Sequence, residues 1–321
     1  MQAVEAQLIC STPGTPMKDK HVSRRRFAVI AGAISAGRIA LGKTTTITAE
    51  KVIERVKTEL GGDWPPAGPD GFKAGEPTTQ VTGIATTAMA TLEVLKKAAK
   101  DGANLVLTFE PTFFGRADGP RRTVTATPGR GGPIGLAPDD PVYQGKQEFI
   151  AKNHLVVFRL RDHWQARKQN EMLTGLAESL GWTKYRLKPD DPLYDIPAMS
   201  AEETVALIRS KLHLRGGLRA VGDRKARIRR VLLHPGEMTA ATMWQRYTDA
   251  DLIVAGEVRE WENTFFAADL HTIGEKPGLV TIGRVASEDP GMRACASWLK
   301  TVVKEVPSHW ISAGDPYWRA V

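Results

Sequence analysis

Residues 80–115, QVTGIATTAMATLEVLKKAAKDGANLVLTFEPTFFG, decide how this chain folds. A β-prone run at 81–86 passes into a helical pattern in which Leu92, Val94, Leu95, Ala98 and Ala99 form one apolar face. Gly102 stops that helix, and residues 103–108 follow as the uninterrupted apolar run that a strand buried on both faces requires. The pattern is β-α-β. In a parallel unit of this kind, ligands collect at the carboxyl ends of the strands, which here places Phe109, Glu110 and Pro111 at the rim. Glu110 is then either a ligand or base, or a loop carboxylate held in a salt bridge.

Before this unit, Thr48 is placed to cap a helix carrying Val52, Ile53, Val56 and Leu60 on one side, and a Pro/Gly-rich loop spans 63–77. After it, residues 116–140 are rich in Gly, Pro, Arg and Thr without apolar period, which predicts a long excursion over the mouth of the site. Order resumes with a helix at 141–152, a strand at 155–159, a turn at 161–165 and a helix at 169–180 ended by Gly181. The turn carries Asp162 and His163, a second pair of candidate donors at a strand end. Proline and aspartate dominate 188–197, the expected boundary of a smaller lobe, and Ser200 with Glu203 makes a capping box for the helix that follows. Residues 218–221 and 226–233 read as a basic hairpin with its arginines on a solvated face, closed by the turn His234-Pro235-Gly236. A helix at 239–248, a strand at 251–255 ending in Gly256-Glu257, a helix at 260–271 and a strand at 279–282 come next. Glu288 begins or caps the next helix, and a strand and turn at 310–316 close the chain. The expected fold is α/β, a mostly parallel sheet flanked by helices in two interlinked lobes, 43–190 with 250–321 and 191–249.

The chain has 321 residues, 42% hydrophobic and 25% charged, a soluble globular composition with no run long enough to form a stable membrane span. Ser23-Arg24-Arg25-Arg26-Phe27, followed by a mild apolar run to Gly37, has the form of a twin-arginine export signal in a disordered tail, residues 1–42. Arg24, Arg25 and Phe27 therefore point to a periplasmic or otherwise extracytoplasmic protein, the alternative being a basic tail on a cytoplasmic one. Of the net charge of +8, the tail supplies half, because six Lys or Arg there face only Glu5 and Asp19. The remainder is too small to indicate a nucleic-acid partner. Cys10 lies in the tail, so Cys295 has no partner for an internal disulfide in the mature chain.

Three further segments carry a family resemblance: Asp70-Gly71-Phe72-Lys73-Ala74-Gly75, the run Ala250-Asp251-Leu252-Ile253-Val254-Ala255-Gly256-Glu257, and Ile282-Gly283-Arg284-Val285-Ala286-Ser287-Glu288. Together with residues 80–115 they resemble the Nif-three-like dinuclear metal-centre hexameric family, often labelled type 2 homologues of GTP cyclohydrolase, with gaps from Thr48 to Trp318. The resemblance implies two divalent metals at the strand ends, self-association into a hexameric ring, and metal-dependent hydrolysis of a nucleotide-like or phosphorylated small molecule. The family's metal ligands, however, are its His-His-Pro, His-x-x-x-Asp and Gly-His-x-x-Ser-Glu segments. This chain has Phe109 with Glu110, Arg161 with Gln165, and Arg284 with Glu288 at the corresponding places.

Phenylalanine cannot ligate, and a guanidinium has no free lone pair for a metal. Glu110, Asp162, His163 and Glu288 remain as donors, with Glu257 nearby, enough for one divalent ion, magnesium, manganese or zinc, or for none. Buried carboxylates left by departed metals need other cations, which Arg161 and Arg284 can supply to Glu110 and Glu288. Two readings stay open: a metal-free scaffold for small-anion binding or assembly, and a metal-dependent hydrolase. Whether the chain is an enzyme is undecided at this level.

Overall fold

The structure, a computed structural model, describes residues 46–66, 68–115, 118, 136–216 and 218–318. The export motif at Arg24, Arg25 and Phe27 and most of the expected excursion at 116–140 lie outside the described residues.

The described chain opens with α1 (Ala49–Leu60) and β1 (Gly71–Ala74), followed by the β-α-β unit of β2 (Ile84–Thr87), α2 (Leu92–Lys100) and β3 (Leu105–Thr108). Next come α3 (Pro141–Lys152), β4 (Val156–Arg159), the short α4 (Asp162–Gln165) and α5 (Glu171–Leu180). Local chemistry sets these boundaries. The Thr91 side chain accepts from the Val94 N–H to start α2, and Asp140 accepts from Val142 and Tyr143 to start α3, with Pro141 in its first turn. Gly181, left-handed at φ 75°, ends α5. Thr48 occupies the N-cap position of α1 without capping it; its hydroxyl turns to Glu50 Oε1 at 3.4 Å.

The second half contains β5 (Leu193–Ser200), α6 (Ala201–Lys211), β6 (Arg219–Val221), β7 (Arg227–Met238), α7 (Ala240–Arg246) and β8 (Leu252–Val258). A π-helical turn (Glu260–Thr264) leads into α8 (Phe265–Thr272), then β9 (Gly278–Thr281), α9 (Arg284–Val302) and β10 (Ser308–Trp310). The strands form two five-stranded sheets, ordered β1-β4-β3-β2-β10 and β5-β7-β8-β9-β6. Inner pairs run parallel, and β1, β5 and β6 add antiparallel edges.

The central strands β2, β3 and β4 are buried on both faces, as is most of β8, and alternate residues enter different cores. In β3, Leu105 and Leu107 pack with Val52, Ile53 and Val56 of α1 and with Met292 and Leu299 of α9, whereas Val106 packs with Val94, Leu95 and Ile150 of α2 and α3. In β8, Leu252 and Val254 meet Leu173, Leu176 and Ile208 of α5 and α6, while Ile253 and Ala255 meet Met243 and Ala267 of α7 and α8.

Three expectations are corrected. Residues 218–221 and 226–233 do not pair with each other: β6 pairs with β9, and β7 lies between β5 and β8. Burial explains this, because Ile228, Val231, Leu232 and Leu233 need cover on both faces, whereas exposed Arg219 and Ala220 fit an edge. His234-Pro235-Gly236 does not end β7, which continues past a register shift to Met238. The proline- and aspartate-rich stretch runs into a strand from Leu193 on, since β5 is an edge and tolerates Pro197 within a pairing irregularity between Asp195 and Met199. The strands β5 to β9 form the second sheet, and β10 returns to the first.

Helix α9 joins the two sheets. It packs against α5 and against strands of both, the Thr86 hydroxyl donating to Met292 O at 2.6 Å and that of Ser308 to Ala296 O at 3.0 Å. Its approach to α5 is backbone-close: a Cβ on Gly175 would lie 2.7 Å from Pro290 O. Alanine is intrinsically about 1 kcal/mol better than glycine in a helix, but overpacking a rigid contact costs about 1–3 kcal/mol. Gly175→Ala is therefore expected to lower the chemical denaturation midpoint, and an unchanged or raised midpoint would refute this close packing.

Candidate functional site

Five segments meet at the carboxyl ends of the parallel strands. Glu110 follows β3, Arg161 follows β4, Glu237 lies on β7 beyond its register shift, Glu257 ends β8, and Arg284 opens α9 just after β9. The β7 irregularity exists because side chains have no room there. Gly236 has φ 78°, and a Cβ on it would stand 2.9 Å from Glu288 Oε1. The Gly236 N–H instead donates to Ser287 Oγ at 2.9 Å, and that hydroxyl donates to Arg284 O at 2.6 Å. The bend in β7 and the first turn of α9 are thus tied together, which aims Glu237 and Arg284 at each other.

Arg284 is the centre of the cluster. Its Nε and Nη2 donate to Glu110 Oε1 at 3.1 and 3.0 Å, and its Nη1 donates to Glu257 Oε1 at 2.6 Å and Glu237 Oε2 at 3.5 Å. Glu288 Oε1 lies 3.5 Å from Nε. Arg161 Nη1 reaches the same Glu110 oxygen at 2.7 Å, and the Arg161 guanidinium lies over the Phe109 ring at 5.0 Å. Glu237 and Glu257 are register partners on β7 and β8, and facing like charges are unfavourable unless a cation bridges them. Arg284 is that bridge. A cation at a helix amino terminus opposes the helix dipole, so these carboxylates are what hold it there.

The electrostatics agree with this division of labour. Burial works against the charge of Arg284, but Glu110, Glu257 and Glu288 outweigh it and raise its pKa. Glu288 is shifted well above the usual carboxyl range, first by burial, then by the negative charge of Glu110, with a hydrogen bond to Glu110 adding to it. Glu288 thus holds its proton more tightly than an exposed carboxyl does, and it offers Arg284 an oxygen at 3.5 Å.

Asp162 and His163 are not brought into the cluster. Asp162 is exposed, 3.9 Å from Arg161 Nε. His163 Nδ1 pairs with Asp70 Oδ2 at 2.7 Å, its Nε2 lies 3.0 Å from Asp63 O, and its ring stacks on Trp64 with centroids 3.5 Å apart. With both ring nitrogens engaged, His163 is not free to ligate. Of the expected donors Glu110, Asp162, His163 and Glu288, the structure brings Glu110 and Glu288 into the cluster, with Glu257 beside them, and leaves Asp162 and His163 outside it. Among the described residues, no three His, Cys, Asp or Glu side chains converge as a metal site; the carboxylates converge on a guanidinium instead.

Sequence reasoning missed two participants. Glu237 was hidden by the turn assigned at 234–236, although Gly236-Glu237 repeats Gly256-Glu257 and the pair was the available signal. Asp70 is a hub, its Oδ1 accepting from Arg161 N at 2.5 Å and Asp162 N at 3.1 Å, and its Oδ2 from His163 N at 2.9 Å. It fixes the turn that presents Arg161.

No known family pattern matches the chain, and no curated protein matches its sequence. Solved structures do match. A Staphylococcus aureus hypothetical protein, SA1388, aligns with TM-score 0.61 at 15% identity over 85% of this chain and 99% of that one. A Bacillus cereus protein related to NIF3 aligns with TM-score 0.62 at 12% identity over 85% and 99%. TTHA1606 from Thermus thermophilus aligns with TM-score 0.56 at 15% identity over 84% and 99%. At such identities the likeness concerns architecture alone, and by that architecture the chain has the NIF3-like fold.

Proposed function

We propose that this chain is a metal-independent scaffold of NIF3-like fold, in which guanidinium–carboxylate pairing closes the rim where the resembled family holds metal cations. The observation that carries the reading is Arg284, which bonds Glu110 and Glu257 directly and reaches Glu237 and Glu288 at 3.5 Å. A second cation placed among these carboxylates would meet the fixed charges of Arg161 and Arg284. Hydrolysis by metal-bound hydroxide therefore has no support at this rim.

A small-anion pocket is also disfavoured, because both guanidiniums already serve carboxylates. The role left for the rim is to lock strand ends from both sheets into one rigid frame that binds or assembles with protein surfaces, further copies of the chain included. Export is a separate part of the proposal and rests on the Arg24, Arg25 and Phe27 motif.

Arg284→Ala leaves partly buried carboxylates unpaired and is expected to cost about 2–3 kcal/mol, below the ~3–5 of a fully buried pair because Glu237 and Glu257 are partly wetted. Millimolar manganese should raise the melting temperature of that variant, whose freed oxygens suit a hard cation, and leave the parent unchanged. Two tightly held divalent ions per parent chain by elemental analysis, with unfolding on chelation, would defeat the scaffold reading.

Glu288 gives a pH test. The folded state keeps its proton to higher pH than the unfolded chain, so rising pH from the ordinary carboxyl value of 4.5 upward takes stability away until the folded group ionises. Glu288→Gln removes that loss, and its stability relative to the parent should grow from pH 4.5 to neutrality; a constant difference would show that Glu288 titrates normally. For export, replacing Arg24 and Arg25 by lysine should leave the protein in the cytoplasm, and an unchanged compartment would remove the twin-arginine route.

A further inference from the structure

The outer layer of the second sheet, made by α7, the π-helical turn and α8, leaves large aromatic side chains outside. Met243 and Ala267 enter the core with Ile253 and Ala255, whereas Trp244, Trp261 and Phe265 are 54%, 72% and 62% exposed. These rings stand together. The turn closes with the Phe265 N–H donating to Glu260 O, a wide i→i+5 bond that sets positions 261 and 265 side by side. Asn263 in the same turn donates to Met243 Sδ at 3.5 Å, which draws the turn against α7 beside Trp244. Phe266 meets Trp244 with ring centroids 6.2 Å apart and Tyr247 with centroids 5.4 Å apart, so the exposed rings rest on a packed aromatic base. Three aromatic side chains exposed to this degree leave about 400 Å² of apolar surface in water, a size at which patches mark interfaces.

Charge indicates what covers this face. Of the groups that flank Trp261 in the chain, Arg259 Nη1 donates to Glu262 Oε1 at 3.4 Å, and Glu260 Oε1 accepts from Arg219 Nη1 at 3.2 Å. A border neutralised in this way steers neither a strongly basic nor a strongly acidic protein, and it has no cluster of Lys or Arg of the kind that holds proteins on anionic lipid. It does suit its own copy, because a surface that meets itself across a twofold axis must be self-complementary. The whole chain carries a net charge of +8, so two copies approach most readily where charge is locally cancelled. Arg219 also belongs to β6, the last strand of its sheet, so the aromatic face adjoins a sheet edge that a second copy would cover as well.

We propose that this face is a twofold contact between two copies of the chain, with Trp261 and Phe265 at its centre and the Arg219–Glu260 pairs at its border. It names the partner for the assembling scaffold of the preceding subsection and so rests on that reading. The composition agrees, since tryptophan and arginine are the residues that most often carry the binding energy of protein contacts. The paired charges around them fix register more than they add affinity.

The test is the association state of the full, folded chain, read by sedimentation and light scattering. At high-micromolar concentration the parent is expected to form an assembly of even copy number, and Trp261→Ser to weaken that association about thirtyfold, the loss usual for a central tryptophan. Arg219→Glu and Glu260→Arg each give the face a single sign, so each alone should associate less than the parent. Mixed in equal amounts the two should associate again, because faces of opposite sign then meet. A monomeric parent, unchanged association in folded Trp261→Ser, or a mixture no better than either charge variant would overturn the proposal. The metal content of the parent and the manganese response of Arg284→Ala decide the scaffold reading separately, so the two can fail independently.

Discussion

Two sheets with parallel inner strands bring like charges together at their carboxyl strand ends, and the form of the rim depends on how that charge is neutralised. Glu237 and Glu257 sit opposite each other on β7 and β8, Glu110 comes from the other sheet, and Glu288 rises from α9. One planar fork, Arg284, satisfies the first three with its own N–H groups, and Arg161 adds a second cation on Glu110. The geometry of the fork matters: a lysine carries a point charge and could not address carboxylates on separate sides at once.

Around that contact the backbone is arranged accordingly. Gly236 and Gly256 permit β7 and β8 to approach where a Cβ on Gly256 would run into Gly236 backbone, and Ser287 pins the bend to the start of α9. Glu288 is left almost without solvent, and that burial, with the charge of Glu110, raises its pKa.

Much of the first sheet was legible in the sequence. The run 80–115 gave the β-α-β unit because its strands are buried on both faces and its helix has one apolar side, and periodicity reports those facts directly. Arg161, Arg284, Glu110 and Glu288 could be proposed as partners because they stand at strand ends, which is a matter of order along the chain. Pairing in the second sheet was not legible: β6 and β7 are neighbours in sequence and look like a hairpin, and only the need to bury β7 on both faces sends β6 to the far edge. The surroundings of His163 were hidden for the same reason, since no local pattern tells that Asp70, some ninety positions away, and Trp64 will claim its ring.

The placement of β10 has an outcome for how the molecule is made. Ser308 and Trp310 complete the first sheet by lying beside Ile84 and Thr86, so β2 waits for a strand that follows the entire second sheet. During synthesis β2 keeps an open, unpaired flank until the segment after α9 has emerged, and an open flank of that sort invites pairing with foreign strands. The second sheet has all its strands in one continuous stretch and can form in the meantime, so nascent chains pass through a stage with one finished half and one unsealed half.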